Sequence, residues 1–156
     1  MTRGSQAARV TLRWYIYPVA SETSGSGPSG PAPADLRGRR VLVVDDDGQV
    51  RQVMARQLQT LGLEVETAAG GAQAMKRIDH ERFDALMLDL DMPGVTGLDV
   101  LLHVQRAAPA LPVVVVTGTF EAERIEGAVK VLPKPVDMPS LRDALTDALR
   151  GAAGKR

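Results

Sequence analysis

The sequence predicts an α/β fold in which a five-stranded parallel sheet is covered by helices on both faces. Between residues 39 and 150, five short apolar runs alternate with stretches of helical periodicity, and this alternation is typical of a parallel sheet. The runs are apolar at consecutive positions rather than at every second one, as burial on both faces requires. Hydrophobic residues make up 44% of the 156 residues, which suffices for one sizeable core.

The first half of this region supplies three strands and two helices. Apolar runs at Val41–Val44, Leu63–Thr67 and Ala85–Leu88 predict the first, second and third strands. Between the first two runs, apolar residues recur at helical spacing as far as Gly62, which predicts the end of a helix. A second helix is predicted over Ala72–Asp79.

The second half completes the sheet. A third helix is predicted from about residue 97 to residue 107, and apolar runs predict strands over Val113–Val116 and Val129–Leu132. The segment Phe120–Glu126 leaves room for little more than two helical turns. Asp137 predicts the N-cap of the last helix, because apolar residues follow it at helical spacing.

Composition divides the rest of the chain. Residues 1–20 form an N-terminal extension in which Val10–Tyr17 alternates apolar and polar residues, the period of a strand. Residues 21–38 are rich in Ser, Gly and Pro and predict a flexible linker, because they cannot bury enough apolar surface to offset the entropy of ordering. The folded domain is then expected over residues 39–150, followed by a tail over residues 151–156.

Charge and cysteine content exclude several classes of function. The 19 basic and 19 acidic side chains balance, so no nucleic-acid partner or anionic membrane surface is expected. The chain has no cysteine, which excludes disulfides, thiolate metal sites and a cysteine nucleophile and fits a reducing compartment. No apolar run approaches the roughly 20 residues that span a bilayer.

Polar side chains follow four of the predicted strands at the point where each strand ends. Asp45–Asp47 follow the first strand, Asp89 ends the third within "LMLDLDMPG", Thr117 follows the fourth and Lys134 lies just beyond the fifth. Ligands bind at the carboxyl ends of such strands. Clustered carboxylates repel, and Mg²⁺ offsets the repulsion, while a lysine suits a phosphoryl oxygen. We therefore expect a pocket that coordinates a metal, holds a phosphoryl group and leaves one carboxylate free to attack it.

Four segments carry a resemblance to the receiver domain of two-component response regulators. They are "VLVVDDD" (41–47), "DALMLDLDMPGVTGLDVL" (84–101), "VVVVTGT" (113–119) and "LPKPV" (132–136). Four motifs in one order make a specific signal. The resemblance implies a flavodoxin-like fold with strand order 2-1-3-4-5, a cytoplasmic location, and a phosphorelay domain that catalyses only its own phosphorylation and dephosphorylation.

The resemblance also implies the roles of the acids. Asp89 would be the phosphoacceptor. Asp46 and Asp89 would supply carboxylates to Mg²⁺, Asp45 would act largely through water, and the backbone carbonyl of Asp91 would complete the protein ligands.

Further residues would contact the phosphoryl group by the same resemblance. Thr117 would bind the phosphoryl group, and Lys134 would pair first with Asp89 and then with the phosphoryl oxygens. The side chains of Asp91 and Thr119 would tune hydrolysis. A cis peptide bond is expected between Lys134 and the proline that follows it.

The partner implied by the resemblance is a sensor histidine kinase or a histidine phosphotransfer protein. The implied docking surface is the first helix, with Gln49, Gln52, Val53 and Arg56, together with the loop at Pro135. The sequence does not fix the oligomeric state.

Two features depart from the family pattern. Family members usually carry Tyr or Phe three places before the lysine, where this chain has Val131, so an aromatic rotamer switch is not expected. Sixteen residues separate Thr117 from Lys134, more than one helical turn short of the usual family length, which implies a shortened fourth helix.

Other interpretations stay open. A haloacid-dehalogenase-type phosphatase also uses an Asp nucleophile, often in a D-x-D pair like Asp89–Asp91. In that class of enzyme the nucleophile lies near the start of the domain and the acid pair near its end, which is the reverse of the order in this chain. A non-phosphorylated pseudo-receiver would act only in docking. The segment "RGSQAARVTL" near the N-terminus resembles the end of a sensor kinase's ATP-binding domain, so the chain is either a stand-alone receiver or the receiver part of a hybrid histidine kinase.

Overall fold

A computed structural model of the chain describes residues 36–118 and 125–153. The predicted N-terminal strand, most of the predicted linker and the larger part of Phe120–Glu126, where the shortened fourth helix is expected, lie outside the described residues. All described residues belong to one compact unit. None of the helices within these two ranges is long and apolar enough to cross a membrane.

Five parallel strands form one sheet in the predicted order, β2-β1-β3-β4-β5. The strands are β1 (Arg40–Val44), β2 (Glu64–Ala68), β3 (Ala85–Asp89), β4 (Val113–Thr117) and β5 (Lys130–Pro133). In the pairing register, Asp89 lies beside Val116 and Thr117 lies beside Pro133. The carboxyl ends of the central strands and of β5 are therefore level with one another at one edge of the sheet.

Helices cover both faces of the sheet. They are α1 (Gly48–Thr60), α2 (Gly71–His80), α3 (Gly97–Ala107) and α4 (Met138–Ala153). Val41 and Val43 pack into a core with α1 and α4, whereas Leu42 and Val44 pack into a second core with α2 and α3. Successive residues of β1 thus face two different cores, which explains why the strand is apolar at every position.

The helix ends follow from local chemistry. Gly62 adopts a φ of +83° just past α1 and donates its N–H to the Gln59 carbonyl, so α1 stops where predicted. Asp137 accepts a hydrogen bond from the Ser140 amide at 2.8 Å, which confirms it as the cap of α4. Thr96 and Asp99 form a capping box at the start of α3, which was not predicted from the sequence.

Packed structure extends slightly beyond the predicted domain limits. Leu36, placed in the linker from composition, is fully buried in the core that α1 and α4 share. At the other end, α4 continues to Ala153, past the expected limit at residue 150. Both differences arise because tertiary packing, rather than local composition, decides whether Leu36 joins the core and how far α4 continues.

Candidate functional site

Three acids converge at the carboxyl edge of the sheet because β1 and β3 are neighbours. Asp45, Asp46 and Asp89 each place one carboxylate oxygen within 4.8 Å of the others. Asp45 and Asp89 are only 1% and 3% exposed, whereas Asp46 is open to solvent. Two buried carboxylates and one exposed carboxylate at this separation repel one another strongly unless cations lie between them.

The third acid of the run serves a different purpose. Asp47 is the N-cap of α1, and its Oδ1 accepts hydrogen bonds from the amides of Gln49 at 2.9 Å and Val50 at 3.2 Å. Its own amide donates to Asp45 Oδ1 at 2.8 Å. Asp47 therefore fixes the turn that presents the two acids before it.

Lys134 supplies the cation of the pocket. Its Nζ lies 2.8 Å from Asp45 Oδ2 and 3.3 Å from Asp89 Oδ2. The resemblance implies the Asp89 pair, and the structure adds a shorter contact to Asp45. The Lys134–Pro135 peptide bond is cis, as predicted.

Burial and charge shift the pKa values of this pair. Burial raises the pKa of Asp89, helped by the negative charge of Asp45 and opposed by the Asp91 amide and by Lys134. Burial alone would lower the pKa of Lys134, but its hydrogen bond to Asp45 and the charges of both acids outweigh that effect and raise it. Lys134 is consequently held as an ammonium beside a carboxylate that is more basic than usual.

Asp91 and Thr117 close the other side of the pocket. The Asp91 amide donates to Asp89 Oδ1 at 3.1 Å, and the Thr117 hydroxyl donates to Asp91 Oδ2 at 3.2 Å. Thr117 is 2% exposed, whereas Asp91 is open to solvent. The backbone just past Asp89 thus holds one of its oxygens while Lys134 holds the other.

Arg51 is a residue of the site that the sequence did not predict. Its guanidinium donates to the backbone carbonyl of Asp45 at 2.7 Å and so ties the first turn of α1 to the end of β1. The available signal was a basic residue one turn after the acids, on a helix that Asp47 caps.

The other predicted residues are placed as follows. The α1 side chains Gln49, Gln52, Val53 and Arg56 are all exposed, as is Pro135. Val53 is 55% exposed, which makes it an apolar patch on an otherwise polar helix surface.

Two more positions bear on the expected mechanism. Thr119 lies outside the described residues. Val131 is partly buried and packs against the core of α2 and α3, so an aliphatic side chain occupies the position where the family usually has an aromatic one.

A protein-family model matches most of the chain. The model of the response regulator receiver domain matches residues 41–146. Response regulator MprA of Mycobacterium ulcerans is 38% identical over 116 residues, which cover 71% of this chain and 50% of that protein. Response regulator MprA of Mycobacterium tuberculosis (strain H37Rv) is also 38% identical, with 71% and 50% covered. The chain therefore spans about half the length of these relatives.

Solved structures match over the same region. A CheY-like response regulator receiver domain protein from Methanospirillum hungatei superposes with a TM-score of 0.72 at 25% identity, covering 76% of this chain and 99% of that one. Response regulator protein TrrA of Thermotoga maritima, in complex with Mg²⁺ and BeF, gives a TM-score of 0.67 at 27% identity, covering 71% and 99%.

Proposed function

The chain belongs to the response regulator receiver domain family, and we propose that it accepts a phosphoryl group from a phosphohistidine onto Asp89 in a Mg²⁺-dependent reaction. The observation that carries the proposal is the environment of Asp89. Its carboxylate is buried and lies 3.3 Å from the Lys134 ammonium, within 4.8 Å of two other acids. A buried nucleophile surrounded by charges of both signs is what phosphoryl transfer to a carboxylate requires.

The donor set fits a magnesium ion. Oxygen ligands from one or two carboxylates, with a carbonyl and waters, are what this hard cation prefers. Asp45, Asp46, Asp89 and the carbonyl of Asp91 would hold it, and the Mg²⁺ complex of TrrA supports the assignment. When bound, Mg²⁺ supplies positive charge that offsets the negative charge of the transferring group.

The chain's own residues perform the transfer. A carboxylate oxygen of Asp89 attacks the phosphorus; the new O–P bond forms as the P–N bond breaks, and the electron pair of that bond leaves with the imidazole nitrogen. The Lys134 ammonium would then pair with a phosphoryl oxygen in place of the Asp89 carboxylate, because it already lies beside that carboxylate. Thr117 would turn its hydroxyl from Asp91 to another phosphoryl oxygen.

The domain also reverses its own phosphorylation in this proposal. A water molecule adds to the phosphorus and the O–P bond breaks, which returns the Asp89 carboxylate and releases inorganic phosphate. The side chains of Asp91 and Thr119 lie two places past Asp89 and Thr117 and would tune the rate by shaping access of that water.

Labelling with acetyl phosphate tests the acceptor. In the presence of Mg²⁺ we expect up to one acid-stable, alkali-labile phosphoryl group per chain, and none in Asp89→Asn. Asp47→Asn is the matched control, because Asp47 belongs to the same acid-rich edge but caps α1. Undiminished label in Asp89→Asn would refute the acceptor assignment. Multiple turnovers of a phosphate ester would instead favour the phosphatase alternative.

The proposed donor is a sensor histidine kinase or a histidine phosphotransfer protein. The exposed face of α1 with Gln49, Gln52, Val53 and Arg56, together with Pro135, would receive it. These residues are open to solvent, α1 follows the acids of the pocket directly, and Pro135 follows Lys134. An exposed apolar side chain among polar neighbours is typical of such docking surfaces.

We also propose the division of the chain that its composition predicts. Composition places the receiver domain at residues 39–150, an N-terminal extension at residues 1–20, a linker at residues 21–38 and a tail at residues 151–156, and the course of α4 to Ala153 supports extending the domain by three residues at its end. The buried side chain of Leu36 supports including the last residues of the linker in the folded domain.

A further inference from the structure

Helix α3 begins in direct contact with the backbone that carries the acceptor. Gly97 is the first residue of α3, and a Cβ built on it would overlap the Asp89 carbonyl oxygen and lie 2.6 Å from the Leu90 Cα. The Gly97 amide donates to the Leu90 carbonyl at 3.3 Å. Only a residue without a side chain permits this approach, because the atoms in the way belong to backbone rather than to a side chain that can rotate.

The start of α3 is itself held firmly. Thr96 accepts a hydrogen bond from the Asp99 amide, and Asp99 accepts one from the Thr96 amide at 2.8 Å. The contact at Gly97 therefore joins a capped helix end to the last residue of a central strand. Neither partner can move away without breaking several hydrogen bonds.

The same backbone presents the ligands. From Asp89 the chain passes through Leu90 to Asp91, whose amide holds Asp89 Oδ1 at 3.1 Å. A displacement of the Asp89–Leu90 peptide moves the Asp89 carboxylate and the Asp91 carbonyl together relative to Asp45 and Asp46 on the neighbouring strand end.

We propose that Gly97 is a positioning residue for the metal pocket: its missing side chain lets the N-terminus of α3 set the spacing between Asp89, the Asp91 carbonyl and the acids that follow β1. This inference rests on the proposed function, since it concerns the cation that the phosphoryl transfer uses. Gly97 acts through the backbone and touches no reacting atom.

Two other glycines provide matched controls. A Cβ on Gly71, at the start of α2, would lie 2.5 Å from the Val95 carbonyl oxygen and 2.6 Å from Val95 Cγ1. This clash is nearly as severe, but it falls on Val95 and not on the backbone of Asp89 and Leu90. A Cβ on Gly70 would meet no atom within 4 Å, and its φ of −175° suits any residue.

The experiment measures Mg²⁺ affinity by isothermal titration calorimetry for the wild type and for Gly97→Ala, Gly71→Ala and Gly70→Ala, each under conditions where urea unfolding shows it to be folded. We expect Gly97→Ala to weaken binding at least tenfold and both controls to stay within threefold of the wild type. An affinity of Gly97→Ala within threefold of the wild type, or an equal loss in Gly71→Ala, overturns the inference. A wild type that binds no Mg²⁺ overturns the proposed function instead, and the inference with it.

A second measurement decides the matter if Gly97→Ala does not fold. In the wild type, hydrogen exchange of the Gly97 amide, measured by NMR, should slow at least fivefold on addition of Mg²⁺. The Gly97 amide donates to the Leu90 carbonyl, and a bound ion would hold the Leu90–Asp91 peptide to which that carbonyl belongs. The Val100 amide, which donates to the Thr96 carbonyl within the same helix, is the reference. Equal changes at both amides overturn the inference.

Discussion

Replacing Asp46 by asparagine should stabilise the protein without magnesium and remove much of its stabilisation by magnesium. Asp46 is the exposed member of the acid cluster, and its carboxylate lies within 4.8 Å of the oxygens of Asp45 and Asp89. One repulsion at 4.8 Å amounts to about 0.9 kcal/mol in a medium as polar as water. The two repulsions are partly offset by attraction to Lys134, so Asp46→Asn should gain about 1 kcal/mol in EDTA at low ionic strength.

Magnesium should cancel that gain. At ten times its Kd, an ion that binds only the folded state stabilises the wild type by about 1.4 kcal/mol. If the loss of one carboxylate weakens binding tenfold, the same concentration stabilises Asp46→Asn by only about 0.4 kcal/mol. The two proteins should then have nearly equal free energies of unfolding.

The assay is urea unfolding followed by circular dichroism, in EDTA and in Mg²⁺. Asp47→Asn is the matched control, since it removes a neighbouring charge while asparagine still caps α1. It should be slightly less stable than the wild type in EDTA, because it loses the attraction between a negative charge and the helix N-terminus. It should keep the full response to Mg²⁺. An Asp46→Asn protein that is no more stable than the wild type in EDTA, or that responds to Mg²⁺ as the wild type does, would refute the electrostatic reasoning.

Two further predictions concern the helix surfaces. Hydrogen bonds from Thr96 lower the pKa of Asp99 below its ordinary value. A carboxyl group whose pKa is lower in the folded state stabilises the protein at neutral pH. This stabilisation is lost as the pH falls below about 4. Asp99→Asn should therefore show a shallower loss of unfolding free energy in acid titrations, and a slope equal to that of the wild type would contradict this. Val53→Ser should slow transfer from a phosphohistidine protein that labels the wild type, while labelling by acetyl phosphate stays unchanged. Leu98→Ser, on α3 and 52% exposed against 55% for Val53, should affect neither, and equal effects of both variants on transfer would remove α1 from the docking surface.

Much of the fold could be predicted because its signals are local. A strand buried on both faces must be apolar at every position, and Val113–Val116 shows this without any knowledge of its neighbours. The end of α1 at Gly62 and the cap of α4 at Asp137 are likewise each predicted by a single residue. Strand boundaries shifted by one residue at β2 and β5, where ladder pairing rather than composition sets the limits.

The site could be predicted in its membership but not in its contacts. The rule that strand ends converge brought Asp45, Asp46, Asp89 and Lys134 together, and the structure agrees. That Lys134 lies closer to Asp45 than to Asp89 depends on sub-ångström positions that no pattern encodes. The close approach of Gly97 to Asp89 joins the backbone at the start of α3 to the end of β3, and the sequence alone does not show which atoms lie against a glycine.

The pairing of Lys134 with Asp45 spans 89 positions of the chain, and this separation has a consequence for biosynthesis. During translation, β1 and β3 emerge long before the lysine that neutralises their crowded acids. A nascent chain that ends before β5 lacks Lys134. The carboxylates of Asp45 and Asp89 at the carboxyl edge of the sheet then lack the ammonium group that pairs with them. Lys134 is synthesised together with β5, so the charge that pairs with Asp45 becomes available only when the last strand of the sheet does.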